Sequence, residues 1–171
     1  MPTLDQVFLN FSASKLRQYL TRIEDCLDRL TYEQVWGRGS EAENAIGNLV
    51  LHLSGNVRQW ILTGVAGHTD VRVRDREFAA RGDIEIADLK TRLRGSVEEV
   101  VAVIERLTPE RLADTIEVQK YDVTVLEAVY HVVEHFGYHT GQIIFATKWL
   151  TKSDLGYYSH LTQSQHKETL P

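Results

Sequence analysis

The sequence predicts an all-α fold, a four-helix bundle with a long crossover between its second and third helices. Three observations predict it. Prolines stand only at positions 2, 109 and 171, so most of the chain is free to be helical. Four long segments carry apolar residues at spacings of three and four, the helical period. One connection, from Gly64 to about Asp83, is much longer than a simple helix–helix turn. A chain of 171 residues is expected to form one domain over 1–171, with a bundle core at 4–150 and a polar tail at 151–171.

The first helix is expected from Leu4 to Leu30, where Leu16, Leu20, Ile23, Leu27 and Leu30 recur on one face. A polar, glycine-containing stretch, Trp36 to Ser40, ends it. Ser40 with Glu43 three residues on reads as a capping box and predicts a second, unusually apolar helix from Glu41 to Val65. The connection that follows gathers Arg72, Arg74, Asp75, Arg76 and Glu77. A third helix is expected from Ile86 to Leu107 on Leu89, Leu93, Val97, Val100, Val101 and Ile104, stopped by Thr108-Pro109. Asp114 to Val123 alternates weakly and reads as extended. Thr124 with Glu127 is a second capping box, opening a fourth helix that runs to about Leu150. In the polar tail, Tyr157, Tyr158 and Leu161 are the residues that would supply order.

Composition excludes several classes of function. Hydrophobic residues at 43% and charged residues at 25% match ordinary globular usage, which argues against disorder. A net charge of −5 gives no basic footprint, so no nucleic-acid partner is expected. No apolar run approaches the roughly 20 residues that span a bilayer, so no membrane is expected either. Cys26 has no second cysteine to pair with, and the N-terminus lacks the basic start and apolar run of a signal peptide. A reducing, cytoplasmic setting is the expectation.

Candidate chemistry concentrates on the fourth helix, where His131, His135 and His139 stand four residues apart. That spacing returns a side chain to nearly the same helix face one turn on. His131 and His139 lie about 12 Å apart along the axis, too far to share an ion whose bonds to nitrogen are about 2.0–2.1 Å. Either adjacent pair can share one, and His135 belongs to both. A third ligand must come from another helix. The second helix carries Asn48, His52 and Asn56 as a polar stripe on an otherwise apolar element, and two such stripes facing the core are expected to meet. Three imidazoles with an open fourth position suit catalysis better than a closed structural site. His68, His160 and His166 lie in polar, loop-like sequence and read as exposed. His131-Val-Val-Glu134-His135 also fits the H-x-x-E-H zinc-peptidase pattern, with Glu134 as general base. Those peptidases are far larger and take a third ligand well downstream, so the match is read as chance and Glu134 as an exposed or supporting residue.

The run His135-x-x-x-His139-x-Gly141-Gln142, with a lone His52 on the second helix, resembles the DinB/YfiT-like superfamily. Leu51 to Trp60 and Arg74 to Phe78 resemble its DUF1572-type branch. These blocks occur in order, and the likeness spans Leu4 to Leu150. The resemblance implies a four-helix bundle that binds a divalent metal, Zn or Ni being the first expectation, through His52, His135 and His139. His131 becomes a neighbour of the site. Asn56 and Gln142 are expected to orient ligands or substrate. It further implies a homodimer, for which Trp60 and Trp149 are candidate contributors, ordinary core being the alternative for either, and thiol S-transfer or hydrolysis on a small-molecule substrate, with a low-molecular-weight thiol as cosubstrate. No catalytic residue beyond the ligands is evident. The Arg72–Arg76 cluster is a candidate attractor of anions at the bundle mouth. The alternative reading is a non-catalytic, metal-binding or stress-response dimeric interaction module.

Overall fold

The computed structural model describes residues 1–162. Helix α1 (Leu4–Asp28) opens on a capping box the sequence pattern did not flag: Gln6 N donates to Thr3 Oγ1 at 3.3 Å, and Thr3 N donates to Gln6 Oε1 at 3.1 Å. Its apolar face buries Leu9, Ala13, Leu16, Leu20, Ile23 and Leu27. A short helix α2 (Tyr32–Trp36), capped in the same way by Thr31 and Gln34, follows immediately. It seats Trp36 against Gly47, where a Cβ would lie 2.8 Å from the indole ring, and the indole N–H donates to Ile84 O at 3.1 Å.

Helix α3 (Ile46–Val57) starts five residues later than the sequence predicts. The Ser40–Glu43 pair does interact, but it closes a turn rather than opening a helix. Ser40 Oγ donates to Glu43 Oε1 at 3.2 Å, while Gly39 N takes the other carboxylate oxygen at 2.8 Å. The cap is supplied by Asn48, whose Oδ1 accepts from Ala45 N at 3.0 Å. From Arg58 to Val65 the helix continues as a π-helix, with Ala66 N donating to Ile61 O at 2.9 Å.

The crossover contains its own short helix, α4 (Arg74–Ala79), which Asn48 Nδ2 ties to α3 by donating to Glu77 O at 2.8 Å and Ala80 O at 3.0 Å. Helix α5 (Ile86–Ile104) ends a little before the predicted Leu107. A 3₁₀ turn (Pro109–Ala113) leads into the strands β1 (Thr115–Val118) and β2 (Tyr121–Thr124). They pair antiparallel from Thr115↔Thr124 to Val118↔Tyr121. The two residues between them, Gln119 and Lys120, have φ of 53° and 67°, as a two-residue hairpin turn of the right hand requires. The extended reading of this stretch thus becomes a hairpin, packed against the π-helix at Gly64. Helix α6 (Val125–Thr151) opens on the Thr124–Glu127 capping box as the sequence indicates.

The bundle is α1, α3, α5 and α6: α1 packs on α5 and α6, and α3 packs on the same two helices. Fully buried Leu16, Ile23, Leu53, Ile61, Leu93, Ile104, Phe136 and Ile143 fill the space between. The tail returns to α1, where Leu155 is buried and Tyr157 Oη donates to Asp25 Oδ2 at 2.7 Å. Tyr158 and Leu161 are exposed. Among the described residues no helix is long and apolar enough to cross a membrane.

Candidate metal centre

Helices α3 and α6 pass each other in opposite directions. His52 on α3 meets His135 and His139, with ring centroids 5.0 and 5.2 Å apart. Trp60, two turns further along α3, meets His131, with centroids 3.9 Å apart. The two polar stripes therefore do face each other. One nitrogen from each of His52, His135 and His139 lies within 4.8 Å of the others. Among the described residues neither His131 nor Glu134 joins this cluster. His131 stacks instead between Trp60 and His135, 5.4 Å from the latter, and Glu134 is exposed.

The protonation states suit a cation. Burial, and then the proximity of His139 and His52, pushes His135 down to about 3. Burial also pushes His139 and His131 down, with Gln142 opposing it in the first case and Glu134 in the second. His135 and His139 are therefore neutral near pH 7, and their lone pairs are available. His52 Nε2 and His135 Nε2 stand 2.9 Å apart. Two lone pairs cannot face each other at that distance without a shared proton or a cation between them. The donor set and its convergence fit a divalent metal.

Two of the outer nitrogens have an assigned task. His139 Nδ1 lies 2.7 Å from Gln142 Oε1, so Nδ1–H donates there and Nε2 keeps its lone pair. His52 Nδ1 lies 3.1 Å from both Glu77 Oε2 and Arg72 Nη2; because the carboxylate can only accept and Arg72 Nη2 is already given to it, Nδ1–H donates to Glu77. Glu77 comes from α4, in the crossover, and is gripped by Arg72: Nε donates to Oε1 at 2.7 Å and Nη2 to Oε2 at 2.8 Å. The Arg72 and Glu77 side chains are only 5% and 11% exposed, respectively. Burial alone would raise the Glu77 carboxyl, but the hydrogen bonds and charge of Arg72 and His52 outweigh it and hold the group below its ordinary value. A buried carboxylate behind a histidine is the usual device for fixing tautomer and ring orientation at a metal.

Sequence reasoning missed this role of Glu77, and it misplaced Arg72. Rather than waiting for an anion at the bundle mouth, Arg72 is committed to Glu77 and, through Nη1, to Gln59 Oε1 at 2.9 Å. Arg74 lies over the Phe78 ring, 4.8 Å from its centroid, and Phe78 in turn lies 4.8 Å from His52. Gly55 is the local signal for the ion pair: a Cβ there would overlap Glu77 Oε1 and lie 2.9 Å from Arg72 Nε. Asn56 is buried one turn from His52. Trp60 is interior, 5% exposed, and so is no part of an outer face, whereas Trp149 is 65% exposed. His68 is exposed; His166 and the side chain of His160 lie outside the described residues.

His52 is buried, while His135 and His139 are half-buried, so the centre is reached from the α6 side. A cavity of about 650 Å³ lies behind it, lined by Gln59, Arg72 and Glu77 but by none of the three histidines.

A family model described as "Protein of unknown function (DUF1572)" matches residues 3–163. No curated protein matches the chain. Among solved structures, the chain is similar to a conserved protein from Enterococcus faecalis, with a TM-score of 0.70 at 16% identity over 90% of this chain and 100% of that one. It is also similar to a DinB-like protein, YjoA, from Bacillus subtilis, with a TM-score of 0.63 at 17% identity over 86% of this chain and 96% of the other. Both likenesses concern the fold.

Proposed function

The chain belongs to the DUF1572 family, and on that premise we propose that it binds a divalent metal, Zn or Ni, and uses it to activate a thiol or a water toward a small-molecule substrate. One observation carries the reading: three imidazoles from two helices converge within 4.8 Å and, among the described residues, no fourth protein ligand joins them. An ion held by three neutral ligands keeps its full charge, and when bound it supplies a lowered pKa for a coordinated water or thiol. His52, His135 and His139 hold it. Glu77 fixes the ring of His52 and Gln142 that of His139, so that both present Nε2. The half-buried faces of His135 and His139 leave a side from which substrate and a low-molecular-weight thiol approach. S-transfer to an electrophile and hydrolysis are the two reactions this arrangement suits.

A non-catalytic reading is favoured by a separate feature. Tyr130, Tyr138, Phe145 and Trp149 line the outer face of α6, each between 59% and 70% exposed, as an interaction module or homodimer would use them. Elemental analysis of tag-free protein beside His52→Ala and His139→Ala decides the first point. About one Zn or Ni per chain, lost in both variants, is expected. Metal-free wild type that resists reloading would overturn the proposal. Screens for thiol transfer and hydrolysis on the loaded protein then separate an enzyme from a module.

A further inference from the structure

The polar column on α3 does not end at the metal ligands. Asn56 stands one turn beyond His52 on the same face, and Trp60 one turn beyond Asn56, opposite His131 on α6. Asn56 and Trp60 are 4% and 5% exposed. Asn56 Oδ1, Trp60 Nε1 and His131 Nε2 are all shielded from solvent, and none finds a hydrogen-bond partner among the described residues. Buried polar groups are nearly always partnered, so three on successive turns of one helix and the facing turn of α6 point to a common partner. They supply a carbonyl acceptor, an indole donor and an imidazole nitrogen, and a neutral oxygen bearing hydrogen answers all three. A second feature sits there too. Trp60 lies in the π-helical segment Arg58–Val65, the kind of widened turn that recurs at functional sites.

We propose that Asn56, Trp60 and His131 form a buried subsite for a neutral hydroxyl-type guest, a water or a substrate alcohol, directly beside the metal centre. The guest accepts from the Trp60 indole N–H and donates to Asn56 Oδ1, and His131 Nε2 takes its remaining contact. His131 stacks on both Trp60 and His135, so the guest lies within one ring of a metal ligand. The inference deepens the metal-binding reading by naming what the centre's inner wall recognises.

The test is ¹⁵N-indole NMR on the full, metal-loaded chain, with methanol as the probe alcohol. The chain has three tryptophans. Trp36 bonds to Ile84 O and Trp149 is 65% exposed, so the remaining signal is assigned by its loss in Trp60→Phe. Cross-relaxation between the Trp60 indole proton and a long-lived water is expected, as is an unfolding midpoint lowered by about 2–4 °C in Trp60→Phe. Methanol that displaces this contact, with a saturable shift weakened at least tenfold in His131→Phe, identifies an alcohol subsite. A water contact indifferent to methanol identifies a resident solvent site. No water contact, no methanol shift and an unchanged or raised midpoint in Trp60→Phe would overturn the proposal. Metal content measured on the same samples keeps the two readings apart. Metal-loaded protein with a silent Trp60 sinks this inference alone, and metal-free protein with the contact sinks the metal reading alone.

Discussion

At the scale of single residues, Glu77 holds His52 in place without belonging to the histidine cluster itself. Glu77→Gln keeps the shape but removes the charge behind His52, and a tenfold to hundredfold loss of metal affinity is expected, read by competition with a chromophoric chelator. Glu77→Ala goes further and strands Arg72, which is 5% exposed. It is expected to cost about 3–5 kcal/mol of stability in denaturant titration. The histidines set a pH signature. His135 is driven from its ordinary 6.5 to about 3 in the folded chain, so between those values the unfolded state binds the extra proton. The contribution of His135 to the stability of the metal-free protein is therefore fully present above about pH 6.5 and is lost as pH drops through the window toward 3. A metal-free protein whose midpoint is flat from pH 7 to 5 would contradict this. None of the Glu77 role was legible in sequence. It sits among Arg72, Arg74, Asp75 and Arg76, a run whose ordinary meaning is a solvated loop, and its partner His52 is 25 residues away.

At the scale of elements, what could be read was whatever announces itself within one turn. The Thr124–Glu127 box did so, because donor and acceptor lie three residues apart and nothing else competes for them. Thr124→Ala should cost about 1 kcal/mol. In a chain of this size that lowers the melting midpoint by about 2–4 °C, measurable by calorimetry. The same signature at Ser40 and Glu43 misled, because Gly39 N captures the carboxylate and the pair closes a turn. The π-helix left no trace in the pattern, since its signature is a shift in hydrogen-bond register rather than in residue type. It carries Trp60, which sequence offered either as a dimer contributor or as ordinary core and which the fold turns onto His131. Gly55 is the clearest link between α3 and the crossover. Gly55→Ala must displace Glu77 Oε1, and a drop in metal affinity with all three ligands intact is the expected result, checked by the same chelator competition.

At the scale of the whole molecule, the four-helix architecture was legible because the periodicity of α1, α3, α5 and α6 is strong and prolines are scarce. The meeting of His52 with His135 was inferable only as two polar stripes needing somewhere to go. Residue spacing alone left open which pair of α6 histidines joins it, because that depends on how α3 and α6 slide past each other. The family resemblance named His135 and His139, the pair that packing brings to His52. The outer face of α6 belongs to this scale too. If Tyr138, Phe145 and Trp149 meet a second copy, Phe145→Glu should turn a dimer into a monomer in sedimentation velocity, with metal content unchanged. The separation of the ligands has a further consequence, for timing. His52 and His135 are 83 residues apart along the chain, and the carboxylate behind His52 arrives with a crossover that Asn48 ties down only once α3 and α4 are built. An ion offered to the nascent chain finds no two of these groups held together except on α6 itself. On the proposed reading the scaffold is finished before the cargo is taken on, so a bound ion would be removed and replaced without unfolding the chain, at a pace set by how fast it crosses the half-open rim of α6.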